Sequence, residues 1–148
     1  MSIGEREAAT GLITTLIVFA LFLWRLSGQT ATGLFDGPEG LQTWARSVLG
    51  LIAWSIGIAI AVTVGFHVLY GLLTGETTDD LRDERDRDIE RRSLTWGWYL
   101  LSFGILGVIV DVALGASAFR AMNLVLGLCL VTEMFRDCAK LILYRRGG

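Results

Sequence analysis

Four long apolar runs, at about residues 8–24, 48–73, 94–115 and 119–143, are interrupted by a charged run from Asp79 to Arg92 in which only Leu81 and Ile89 are not ionisable. A hydrocarbon layer ~30 Å thick is crossed by roughly 20 residues of helix, and each apolar run is long enough. Lipid offers no hydrogen bonds to the backbone, so a span must be a helix or part of a closed barrel. The runs are continuous rather than alternating, which selects helices. The charged run cannot enter lipid and must lie outside it, between the second and third spans. The expected fold is all-α: an integral membrane four-helix bundle of two helical hairpins, forming a single transmembrane domain over residues 1–148. Its helices are expected at about 8–26, 48–73, 94–115 and 119–143, with a charged loop at 76–92.

Composition agrees with this reading. The chain is 53% apolar, with mean hydropathy +0.55 and one proline, whereas a soluble domain of this size carries far more polar surface. The net charge of −2 is the remainder of two large local terms. No basic patch points to nucleic acid. The first run follows Glu5, Arg6 and Glu7 and ends in Leu23-Trp24-Arg25-Leu26, the pattern of a retained helix rather than a cleaved signal. Cys129 and Cys138 lie nine residues apart, about 13 Å along a helix, so they cannot bridge each other. Both are expected to be buried and inert.

Arginine and lysine counts set the expected orientation. An even number of spans places the N-terminus, the charged loop and the C-terminus on one side. That side holds Arg6, Arg82, Arg85, Arg87, Arg91, Arg92, Arg136, Lys140, Arg145 and Arg146, ten in all; the other holds three, Arg25, Arg46 and Arg120. Both termini are therefore expected in the cytoplasm, and the protein in the cell inner (cytoplasmic) membrane as a multi-pass protein. Trp24, Trp44 and Trp54 would mark the outer interface; Tyr70, Trp96, Trp98, Tyr99 and Tyr144 would mark the inner one. The glycine-rich segment 27–46 is expected to lie on the outer surface through Leu34, Phe35 and Trp44.

The charged run is expected to continue the third helix outward. Thr77 or Thr78 with Asp79 and Asp80 would cap it. Asp83 with Arg87 and Asp88 with Arg92 form (i, i+4) pairs worth ~0.3–0.5 kcal/mol each, and Ile89 would pack on the bundle end. Asp83-Glu84-Arg85-Asp86, then two residues, then Ile89 resembles the DERD-x-x-I signature of a family of small four-helix prokaryotic membrane proteins of unknown function. The likeness extends to Glu5-Arg6-Glu7-Ala8 before the first helix and to Tyr144-Arg145-Arg146 at the aromatic-basic end, while Arg91-Arg92-Ser93 departs from it. The resemblance implies a fold and a topology. It also hints at regulation, since some members are encoded beside small helix-turn-helix regulators. Asp83, Glu84, Arg85, Asp86 and Ile89 are the residues it nominates for interaction.

Within the spans, Ala53, Gly57, Ala61 and Gly65 form a small-residue spine that lets helix backbones approach closely. It is expected to pack inside the chain. Thr63, His67, Tyr70 and Thr74 share another face. His67 is the only histidine, so a six-coordinate haem would lack a second axial ligand within this chain. It is expected to hydrogen-bond within the bundle. Counting from Phe119, Glu133 lies roughly 20 Å deep. Ionisable groups at such depth are costly and count as functional candidates. Glu133 can pair with Arg136 one turn on, or serve as a protonatable site. Asp111 lies near the other end of its helix, within reach of Arg120 or Asn123.

No nucleotide loop, catalytic triad, paired-carboxylate site or metal cluster is present in the sequence, so a non-enzyme is expected, with no catalytic residue, cofactor or metal. The leading expectation is a regulatory or accessory subunit of a membrane complex, acting through protein interactions with the DERD segment as its docking surface. Its expected partners are the lipid bilayer and another membrane or cytoplasmic protein, or a second copy of itself. The alternative is a small oligomeric transporter or channel that uses Glu133.

Overall fold

The computed structural model describes residues 3–74 and 84–146. Four helices follow in order: α1 (Ile3–Ala31), α2 (Gly40–Thr74), α3 (Glu84–Ala113) and α4 (Ala118–Arg146). All four are long and apolar enough to cross a membrane. Each extends past its apolar run, because backbone hydrogen bonding continues wherever nothing interrupts it. The 35 residues of α2 span about 52 Å at 1.5 Å per residue. The proposed caps Thr77, Thr78, Asp79 and Asp80, and the acid Asp83, lie outside the described residues.

Two of the helices stop in the same way. At the end of α1, Leu34 N–H donates to the Gln29 carbonyl at 3.2 Å and Gly33 N–H to the Thr30 carbonyl at 3.0 Å. At the end of α3, Ala116 N–H reaches the Asp111 carbonyl at 3.1 Å and Gly115 N–H the Val112 carbonyl at 3.0 Å. This paired closure requires a left-handed residue, and Gly33 (φ 70°) and Gly115 (φ 99°) supply it. Ser117 then starts α4 as its N-cap, its Oγ accepting the Arg120 N–H at 3.3 Å.

The packing runs α2–α1–α4–α3. The largest interface is between α3 and α4, α1–α4 follows, and α1–α2 is the smallest of the three. Along the antiparallel α3–α4 pair, Gly97 faces Arg136, Gly104 faces Leu128, and Asp111 meets Arg120. Those α3 positions are seven residues apart, which keeps them on one helix face. At the end that carries the α1–α2 and α3–α4 connections, Val18, Phe22, Phe35, Trp44 and Val48 form a buried cluster against Phe119 and Leu126.

This cluster corrects the expected surface position of the α1–α2 connection. Phe35 and Trp44 are buried. Their rings lie 5.8 and 6.2 Å from the Phe119 ring, and Trp44 Nε1–H donates to Asn123 Oδ1 at 3.1 Å. The Asn123 amide in turn donates to the Phe119 carbonyl at 2.8 Å. Trp24 and Trp54 do face outward. The outer surface is strongly apolar, with Leu72, Phe103 and Leu114 all exposed. Water would penalise such a continuous surface, which fits helices made to cross lipid.

Candidate functional site at the charged end

The opposite end of the molecule gathers ionisable residues from α1, α3 and α4. Ile89 is only 2% exposed and Ser93 is fully buried, beside the buried Ala8, Thr10 and Ala139. Burial of Ile89, followed one turn on by Ser93, fixes the start of α3 against its neighbours, since removing an isoleucine side chain from contact with water is worth ~1.5–3 kcal/mol. Arg85 Nη2 donates to the Tyr144 carbonyl at 3.3 Å, and the Asp86 and Tyr144 side chains are hydrogen-bonded to each other. Gly4, Glu7, Asp86, Glu90, Lys140 and Tyr144 line a crevice of about 20 Å³, room for one water. A side chain at Gly4 would collide with the Tyr144 hydroxyl, so α1 approaches α4 here as closely as glycine permits.

The DERD segment is thus divided between two tasks. Asp86 and Ile89 turn inward and clamp the helix, which removes Ile89 from any exposed docking surface but bears out its packing on the bundle end. Glu84, Arg87, Asp88, Arg91 and Arg92 remain exposed. The (i, i+4) pair of Asp88 with Arg92 is formed at 2.8 Å, both side chains more than half exposed. The partner pair Asp83–Arg87 involves a residue outside those described.

The polar residues of the apolar helices do not converge. Arg136 Nη1 donates to both carboxylate oxygens of Glu133, at 2.7 and 2.9 Å, and its stem lies over Gly97. The Glu133 side chain is 52% exposed on the side of α4. His67 Nδ1 lies 2.8 Å from the Thr63 carbonyl of its own helix, and its ring meets Phe66 edge to face. Tyr70 receives the Arg6 guanidinium 4.1 Å above its ring, tying the start of α1 to the end of α2. Asp111 pairs with Arg120 at 3.0 Å near the connection end, as its position suggests.

Two expectations about helix faces are corrected. Ala53, Gly57, Ala61 and Gly65 are all exposed, and a Cβ at Gly57 or Gly65 would meet nothing within 4 Å. Among the described residues, the spine of α2 therefore packs against no other helix; the close approaches fall instead at Gly4, Gly11, Gly97 and Gly104. Cys129 and Cys138 are free and exposed rather than buried.

Asp137 is the member of the charged end that the sequence does not single out, and Glu7, Lys140 and Tyr144 enter the sequence reading only as flanking charges and an interfacial ring. The Asp137 carboxylate rests against Gly11, where an added Cβ would fall 2.7 Å from Oδ2. Asp137, Lys140 and Tyr144 recur at helical spacing on one face of α4, and that pattern was the available signal. No family model, curated protein or solved structure matches the chain.

Proposed function

We propose that this chain is a non-enzymatic membrane protein, a regulatory or accessory subunit, that acts by presenting the outer face of the start of α3 to a protein partner. The observation that carries this reading is the clamp. Burial of Ile89 and Ser93 and the contacts of Arg85 and Asp86 with Tyr144 hold a helix that displays Arg87, Asp88, Arg91 and Arg92 outward. Exposed ion pairs contribute only ~0–1 kcal/mol each, so stability alone is a weak reason for this density of charge. A pre-ordered helix loses little conformational entropy on binding, and charge complementarity then selects the partner.

The ten-to-three bias of positive residues supports placing this end and both termini in the cytoplasm of a prokaryotic cell, with the protein in its inner membrane. The exposed small-residue face of α2 supports a neighbouring membrane subunit or a second copy. Transport through Glu133 draws less support, because its carboxylate is held by Arg136 and faces outward.

Photo-cross-linking from position 91 in cells tests the reading. It should capture a protein that the same probe at Phe103, on an exposed apolar face, does not. Exchanging Asp88 with Arg92, and Asp83 with Arg87, keeps composition and net charge while reversing the displayed pattern. The exchanged protein should insert and melt normally but lose the cross-link and the function that a deletion strain lacks. Full complementation by the exchanged protein would remove the docking role.

A further inference from the structure

A cleft of about 690 Å³ opens between α1 and α2 at the end that carries the connections, lined by Leu21, Trp24, Arg25, Gln29, Arg46, Ser47, Gly50, Leu51, Trp54 and Ile58. Its volume is in the range of roughly 300–1,000 Å³ that suits a small-molecule site. Two cations enter it from different helices. Neither Arg25 nor Arg46 has an ion-pair partner among the described residues. Gln29 adds a polar side chain to the same wall. The lower walls, Leu21, Leu51 and Ile58, are apolar and continue into a narrow crevice beside Val18 and Phe22. Trp24 and Trp54, 72% and 75% exposed, flank the opening as interfacial aromatics do.

The geometry points to a binding site for one anionic phospholipid. Its phosphodiester takes N–H donors from Arg25 and Arg46, whose forked guanidinium groups suit phosphate oxygens. An acyl chain lies along Leu21, Leu51 and Ile58. A free phosphate would satisfy the arginines but leave the apolar walls unused, so the lipid is the occupant that matches the whole cleft. This inference needs only that the helices sit in a bilayer and is independent of the docking face on α3.

Native mass spectrometry on the full chain in neutral detergent tests it, with phosphatidylglycerol, phosphatidylmethanol and phosphatidylcholine of identical acyl chains offered in turn. One phosphatidylglycerol should remain bound, at least tenfold more than phosphatidylcholine. Arg25→Gln with Arg46→Gln should retain at least tenfold less. Gly50→Phe should do the same with both charges intact, because its side chain enters open space in the cleft; it also decides the matter if the double variant melts early. Arg146→Gln, at the opposite end, should bind as wild type. Phosphatidylmethanol, which has the same charge without head hydroxyls, should be retained as phosphatidylglycerol is, and its loss would overturn the proposal. Undiminished lipid on a folded cleft variant, equal retention of phosphatidylcholine, or displacement of the lipid by glycerol 3-phosphate would each overturn the proposal.

Discussion

The side chain of Arg136 lies across Gly97, where a Cβ would fall 2.6 Å from its Cγ and 3.5 Å from the Thr132 methyl. One residue without a side chain thus lets a long cationic side chain lie within the α3–α4 interface while it pairs with Glu133 on its own helix. The same principle operates lower down, where Leu128 fills the space over Gly104.

Gly97→Leu and Gly104→Leu should each destabilise the protein by about 1–3 kcal/mol through overpacking. Gly57→Leu and Gly65→Leu, in open space on α2, should stay within about 0.5 kcal/mol. Thermal melting in detergent separates the two sets. Equal sensitivity at Gly57 and Gly97 would mean that α2 packs against another helix under those conditions.

Glu133→Gln should leave the melting temperature nearly unchanged. The pair with Arg136 is 52% exposed on the Glu133 side, and pairs of this kind are worth ~0–1 kcal/mol. Arg136→Ala should cost more, because it also removes the stem that covers Gly97. A large loss from Glu133→Gln alone would show that the carboxylate serves more than this pair.

Tyr144→Phe removes the hydrogen bond to Asp86 while keeping the ring. Amide hydrogen exchange in residues 85–92 should rise, corresponding to about 0.5–1.5 kcal/mol of lost local stability. Exchange in α4 around Leu128 should not change. Unaltered protection at 85–92 would leave the clamp to Ile89, Ser93 and the Arg85 bond to the Tyr144 carbonyl.

Trp44→Phe and Asn123→Leu each break the same hydrogen bond. Trp44→Phe strands the Asn123 carbonyl oxygen beside a buried ring, and Asn123→Leu strands the indole N–H. Each should cost about 1–3 kcal/mol for the unmet group, and the pair together less than the two costs added. Strict additivity in the double-mutant cycle would show that the bond contributes nothing.

For topology, reporter domains fused at Gly37 and after Arg146 should report opposite sides of the membrane, with the Arg146 fusion cytoplasmic. Equal signals from both would contradict an even number of spans.

The sequence by itself determined that this chain makes four long helices able to cross lipid, with a charged helical segment outside, because apolar run length and charge act locally and need no partner. It also marked Ile89 as the residue that packs at the bundle end and Asp111 as one that Arg120 or Asn123 would satisfy, of which the structure pairs Arg120. Which helix faces meet was decided only by tertiary structure. Small residues on α2 looked like a packing seam, yet α2 joins at the edge, and the close approaches fall at Gly4, Gly11, Gly97 and Gly104 of α1 and α3. In lipid, an apolar face can meet a neighbour or the solvent at nearly equal free energy, so hydrophobic pattern alone cannot orient a helix. Trp44 shows the same limit: its sequence position suits a membrane interface, and only the distant Asn123 turns it into a buried hydrogen-bond donor. The Arg25–Gln29–Arg46 cleft depends in the same way on how α1 and α2 are set against each other, which no single helix specifies.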